Sequence, residues 1–224
     1  MNLNKIINNL RYIGGLPKSI YVNLRVLPIK QAIKLPIIVS SKTQLRSLSG
    51  KIELAKVKTG VIRIGFGSIQ LVDYSCDRTI LNIDGKIVFK GKAKIGMGSK
   101  IEVASSGILE FGENFINSAT TKIICHKHIT IGKDCLFGWD SLVMDTDYHT
   151  VCDFQNKKLN EDKAIVIGNK VWIGAKSSIL KGSNIPYGSV IAFNTVLYSQ
   201  FYDKNVILGG NPVRVIKKNI MWYE

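Results

Sequence analysis

Three histidines, His126, His128 and His149, are the side chains of this sequence best suited to moving protons near neutral pH. His149 stands in Asp147-Tyr148-His149. In an extended segment residues two apart face one side, so the Asp147 carboxylate could orient an imidazole acting as general base. The plainer reading is an exposed loop histidine beside a turn-forming aspartate. His126 and His128 follow Cys125 closely, yet no second ligand pair at zinc spacing accompanies them, so they read as a surface pair and no metal is expected. Cys152 is the thiol nearest His149, and nothing in the sequence sets it against a second activating group. Cys76, Cys125, Cys135 and Cys152 form no CxxC, and they read as reduced thiols, mostly small core residues.

The elements that must position His149 are legible in a ladder of six. Ile167, Ile173, Ile179, Ile185, Ile191 and Leu197 recur at intervals of six. Small or β-branched residues follow four places on, at Val171, Ser177, Ser183, Ser189 and Thr195. That period fits neither an amphipathic helix nor an alternating strand; it fits an all-β solenoid of short parallel strands, three hexads to a triangular coil. Upstream, Ile83, Phe89, Ile95 and Ile101 keep the spacing, and Ile131 and Phe137 continue it. A phase slip between Ile101 and Ile131 predicts bulges or short insertions. The solenoid is expected over residues 61–200, in about six or seven coils. One long excursion, 144–164, leaves it and carries His149. Loops on rigid repeat scaffolds are where function concentrates.

The ends differ from the body. Residues 1–60 hold eleven basic residues and one acid, Glu53, against a whole-chain balance of 31 Lys+Arg and 16 Asp+Glu. This segment is expected to cap the open end of the solenoid, with a short amphipathic helix over Leu3–Ile13. Its charge suggests an anionic partner such as a membrane surface or an acidic glycan, or else a solvated basic face. Residues 201–224 read as a C-terminal strand and tail, helical over Lys217–Glu224. No apolar run is long enough for a membrane span, and Asn8, Asn9 and Arg11 break any secretory core segment, so a cytoplasmic protein is expected. Nucleic acid is not an expected partner, because no binding motif interleaves aromatics with the basic patch.

The hexads, Val171-Trp172-Ile173-Gly174 and Gly210-Asn211-Pro212-Val213-Arg214-Val215-Ile216 together resemble the hexapeptide-repeat acyltransferases, nearest the sugar O-acetyltransferases related to galactoside and maltose acetyltransferase. The resemblance covers about residues 60–220. It implies a left-handed parallel β-helix, against the usual hand of crossovers. It also implies a homotrimer with acetyl-CoA as co-substrate between subunits, and transfer of acetyl to a sugar or glycan hydroxyl. His149 matches the catalytic base, and Asp147 is its candidate orienting partner. Trp172 and Asn117 match acceptor-side positions, with subunit packing and a structural turn as their respective alternatives. Ala175 matches the small residue beside pantetheine, while Arg214 and Lys217 match basic residues that meet the CoA phosphates. Phe193 replaces a usually small residue of the CoA groove, Tyr198-Ser199 stands where Thr-Lys is usual, and Ala164 where Pro is common.

The expected function is therefore CoA-dependent O-acetylation in surface polysaccharide biosynthesis, with the inner face of the membrane and a lipid-linked glycan as an expected setting. N-acetylation of an amino sugar or nucleotide sugar uses the same base and stands beside it. A non-catalytic solenoid scaffold is the reading from another class.

Overall fold

The computed structural model describes residues 12–67, 69, 72, 73 and 76–223. The helix expected from Leu3 thus lies almost wholly outside the described residues. The chain winds as a left-handed parallel β-helix with three flat faces. Face A is the nine-stranded sheet β1 (Ile37–Val39), β4 (Ile62–Ile64), β7 (Ala93–Ile95), β10 (Phe115–Asn117), β13 (Leu136–Phe137), β16 (Trp172–Ile173), β19 (Val190–Ile191), β21 (Ile207–Gly209) and β22 (Arg214–Lys217). Face B is the seven-stranded β2 (Gln44–Leu48), β5 (Ile80–Ile83), β8 (Lys100–Val103), β11 (Lys122–Cys125), β14 (Leu142–Met144), β17 (Ser178–Leu180) and β20 (Val196–Leu197). Face C is the six-stranded β18 (Asn184–Ile185), β15 (Ile165–Ile167), β12 (His128–Ile131), β9 (Ile108–Phe111), β6 (Lys86–Phe89) and β3 (Lys51–Leu54). All neighbouring strands are parallel except the last pair, where β22 runs antiparallel to β21.

The register explains the ladder. On face B, Leu81, Ile101, Ile123, Val143, Ile179 and Leu197 stack one above another. All six are buried, and they form one wall of a continuous apolar core. Leu81 rather than Ile83 is the partner of Ile101, and Ile83 sits opposite Val103. The phase slip resolves into widened corners between faces B and C: β8 (Lys100–Val103) and β9 (Ile108–Phe111) are four residues long, where β17 and β18 (Asn184–Ile185) have three and two. The wider coils hold rings. Phe89 stacks on Phe111 at 5.0 Å, Phe111 meets Phe115 at 4.7 Å, and Phe115 meets Phe137 edge-on at 5.0 Å. Aliphatic side chains fill the later coils, whose hexads are strict because a short corner admits no extra residue.

Some of the small residues four places on satisfy the corners, while the buried hydroxyls of Ser189 and Thr195 have no hydrogen-bond partner among the described residues. Ser141 Oγ donates to Gly138 O at 2.9 Å, Ser177 Oγ to Ala192 O at 2.8 Å and Ser183 Oγ to Leu197 O at 3.0 Å. Buried carbonyls that the ladder leaves over thereby find donors.

Coil strands begin at β1 (Ile37–Val39), so part of the basic front third is itself solenoid. Ahead of it, α1 (Leu16–Val26) and the single turn α2 (Ile29–Ala32) lie over the first coil. Two polar residues on the inner side of α1 replace the missing strand neighbour: Asn23 Nδ2 donates to Ile37 O at 2.6 Å, Ile37 N donates to Asn23 Oδ1 at 3.1 Å, and Val39 N donates to Ser19 Oγ at 3.0 Å. The strand edge that would otherwise invite aggregation is closed. At the far end the tail is not helical. It is held instead by Ile220 N donating to Asn205 O at 3.0 Å and Trp222 Nε1 donating to Lys170 O at 2.9 Å. Those tertiary partners outweigh the weak helical preference of eight residues.

Candidate active site

The corner between faces A and B carries a groove of about 420 Å³, lined by Trp139, Trp172, Gly174, Ala175, Ala192 and Phe193 among others. Trp172 points outward because its strand neighbours Val171 and Ile173 are buried in the core. It sits between Leu136 and Val190 on the flanking strands, and its ring lies 6.2 Å from that of Trp222. Gly174 is small for a structural reason: a Cβ there would meet Ile191 O at 2.6 Å, so the corner could not stack on the next coil. Ala175 and Ala192 keep the groove floor low, while Trp172 and Phe193 form walls. That shape fits a thin, flexible chain such as pantetheine.

Three sequence-predicted residues, Trp172, Ala175 and Phe193, thus meet in one groove. Arg214 and Lys217 lie on the exposed edge strand β22. Arg214 is opposite Gly209, and Leu208 beside it accepts a hydrogen bond from Ala192 N at 2.8 Å. Both cations are therefore carried at the end of face A beyond the groove, open to an anion. Tyr198 is exposed after β20, at the far side of face B from Phe193. Asn117 is not on the surface. It occupies an inward position opposite Phe137, only 1% exposed. Its Oδ1 accepts from Gly96 N at 2.9 Å and its Nδ2 donates to Ser99 Oγ at 2.8 Å. The amide is held inside the coil by its own backbone and hydroxyl partners, which makes the structural-turn alternative the one its geometry fits.

The excursion leaves face B after β14 and rejoins at β15. Its root is fastened by Asp145, which is fully buried and accepts backbone hydrogen bonds from His126, Lys127 and His128 at 2.7, 2.9 and 2.8 Å. Lys163 N closes the returning end on Asp145 O at 3.2 Å. The segment 147–149 is not extended. Tyr148 has φ +62°, and His149 N donates to Asp147 O at 2.7 Å, which turns the backbone between them. The Asp147 carboxylate is engaged by Lys181 and by Asn160 Nδ2 at 2.9 Å, and these bonds hold it below the ordinary carboxylate range. Asn160 Nδ2 also donates to His149 O at 2.7 Å, so one amide ties the two candidate catalytic residues together through the backbone. Asp145, Asn160 and Lys181 escaped the sequence reading because their roles depend on partners 11 to 34 positions away.

The His126–His128 pair has partners of another kind. His126 Nε2 lies 3.2 Å from Glu102 and His128 Nε2 2.8 Å from Glu110. Lys90 and His128 hold the Glu110 carboxyl low. Tyr148 donates to the same Glu102 at 3.0 Å, and burial together with that carboxylate pushes its phenol up to about 12. Among the described residues no group of three or more His, Cys, Asp or Glu is placed to hold a metal ion. Cys125 and Cys135 are core thiols pushed up to about 12 by burial, which leaves them inert. Cys152 is exposed.

His149 and the groove thus occupy different corners of the triangle, His149 between faces B and C and the groove between A and B. Over 168 residues the chain is 26% identical to the putative lipopolysaccharide biosynthesis O-acetyl transferase WbbJ of Escherichia coli K12, covering 70% of this chain and 82% of that one. The crystal structure of the polySia-specific acetyltransferase NeuO has the same fold, with a TM-score of 0.57 at 22% identity over 83% of this chain and 74% of its own. In sequence and in fold the chain is thus similar to the hexapeptide-repeat acyltransferases. The chain is also 27% identical, over 99% of both chains, to an uncharacterized 24.8 kDa protein in the cps region of Klebsiella pneumoniae. No protein-family model matches it. Among its described residues no helix is long and apolar enough to cross a membrane.

Proposed function

We propose that the acyltransferase moves an acetyl group from acetyl-CoA to a sugar hydroxyl of a surface polysaccharide or its lipid-linked precursor, working in the cytoplasm at the inner face of the membrane. The observation that carries this reading is the groove of Trp172, Ala175 and Phe193 on a scaffold whose one long excursion bears His149. Acetyl-CoA supplies the acyl group as a thioester. Ala175 gives pantetheine room, Phe193 flanks it, and Arg214 and Lys217 meet the phosphates as charge-assisted donors. Tyr198, at the far side of face B from Phe193, is left out of that site.

His149 takes the acceptor's proton as the hydroxyl oxygen attacks the thioester carbonyl; the C–S bond breaks and CoA leaves as the thiolate, which the imidazolium can protonate. Asp147 is a positioning residue. Held by Lys181 and Asn160, it fixes the turn that presents His149. Trp172 supports the acceptor. Because base and groove lie at different corners of one chain, the site is completed between subunits of a homotrimer, His149 of one subunit facing the groove of the next.

The test is acetyl-CoA turnover and CoA binding with a polysaccharide acceptor. Ala175→Trp, which fills the groove, is expected to raise the KM for acetyl-CoA by about tenfold or more with the fold intact. Unchanged KM, or a monomer in light scattering that still turns over, would overturn the proposal.

A further inference from the structure

The cap over the first coil has two unlike sides. Ser19, Val22, Asn23 and Val26 of α1 face inward and are buried. Leu16, Ile20 and Leu24 recur every four residues and form a stripe on the outer side. Ile13 precedes the stripe, and Ile29 and Ile33 extend it along α2. These six aliphatic side chains are between 42% and 70% exposed. Aliphatic surface gathered this densely marks an interaction site. Exposed cations border it at Arg25, Lys30 and Lys34, and none of the three has an ion-pair partner among the described residues.

The charge decides the occupant. The one acid of residues 1–60, Glu53, is paired with Lys86 at 2.8 Å and so offers a partner nothing. A second copy of this face would set like charge against like. An anionic lipid surface answers both features, since its acyl boundary accepts aliphatic side chains and its headgroups attract cations. The position fits as well: the cap closes the first coil, several coils away from the groove and the excursion, which stay open.

We infer that the outward face of α1 and α2 docks the protein on an anionic membrane. Leu16, Ile20 and Leu24 enter the headgroup–acyl boundary, and Arg25, Lys30 and Lys34 meet the headgroups. The inference names the surface that would hold the enzyme at the membrane proposed above, and it rests on the cap rather than on acetyl transfer.

The full chain is co-sedimented with vesicles of phosphatidylcholine alone and of phosphatidylcholine carrying about one-third phosphatidylglycerol, at low and high salt. Binding is expected only with phosphatidylglycerol, several-fold weaker at high salt. Ile20→Glu combined with Leu24→Glu, both exposed, should reduce it by about tenfold or more while melting and turnover with a soluble acceptor stay unchanged. Arg25→Gln, Lys30→Gln and Lys34→Gln together should abolish the preference for anionic lipid. No vesicle binding, equal binding to neutral vesicles, or binding indifferent to the two glutamates overturns the inference. So does lipid-free self-association that the two glutamates abolish. A protein that binds these vesicles but transfers no acetyl group keeps the docking face and overturns the enzymatic proposal instead.

Discussion

The solenoid and the excursion that leaves it are held by different forces. In the coils, inward side chains are almost fully buried and every strand is fixed in register by its neighbours. In the excursion, Phe154, Leu159 and Val151 are exposed, and order comes from a few polar atoms: Asp145 at the root, Asn160 across the loop, and Lys181 on Asp147. A packed core resists displacement because any shift opens a void. A loop held by exposed hydrogen bonds opens at low cost, as an element that must admit a substrate requires. The rigid part supplies groove walls, and the loosely held part carries His149, the proposed base.

The sharpest way to break this division is at His149. His149→Ala should lower kcat by about 10²–10⁴-fold, the usual worth of general-base assistance, with the melting temperature and CoA affinity unchanged. A variant of unimpaired kcat would remove the excursion from the chemistry. The converse is Phe111→Ala in the wide coils, which should cost about 3–5 kcal/mol of stability by leaving a cavity between Phe89 and Phe115, measured by denaturant unfolding. If the division holds, its residual folded fraction keeps a near-normal kcat.

Asp145→Ala tests the joint between the two regions. Removing a buried acceptor of three backbone N–H groups should cost about 1–3 kcal/mol and also reduce kcat, so stability and activity fall together. The Asp147–Lys181 contact gives a smaller, pH-dependent effect. Because the folded carboxyl titrates below its free value of 3.8, the contact's stabilisation of the loop is fully present above that value, and it declines below it as pH falls through the lowered folded value. Proteolytic nicking of 150–160 should therefore increase below about pH 4 in the wild type, and Asp147→Asn should nick readily at every pH. Least of all, Cys152→Ser should change stability by less than about 0.5 kcal/mol and leave kcat alone. A stable acetyl adduct in intact mass spectra that disappears in Cys152→Ser would replace direct transfer with a covalent route.

What could be read without the fold follows the same division. The strict hexads from Ile167 to Leu197 were legible because a short corner permits one spacing and core burial enforces it. The wide coils blur the pattern: counting back by six from Ile101 leads to Ile83, whereas Leu81 holds the ladder position, because extra corner residues shift the phase without changing composition. Around the site, outward Trp172 followed from alternation along a strand, whereas Ala175 came only from the family resemblance. Asn117 lies on the same kind of strand, yet its inward position depends on register with Phe137, which spacing across a phase slip does not specify.

The sequence by itself determined the period of six, and with it a parallel solenoid, its aliphatic axis and the place of its one excursion. Periodicity is a local consequence of side chains alternating between core and solvent, so it is written along the chain. Only the tertiary structure decided that Tyr148 turns the backbone between Asp147 and His149, that Lys181 and Asn160 hold the carboxylate, that Ser19 and Asn23 close the first strand edge, and that Trp222 comes back beside Trp172. Each of these joins groups remote in sequence. A hydrogen bond or ring contact between them exists only once the coils have brought the partners within a few ångströms, and nothing in the spacing of either partner records the other.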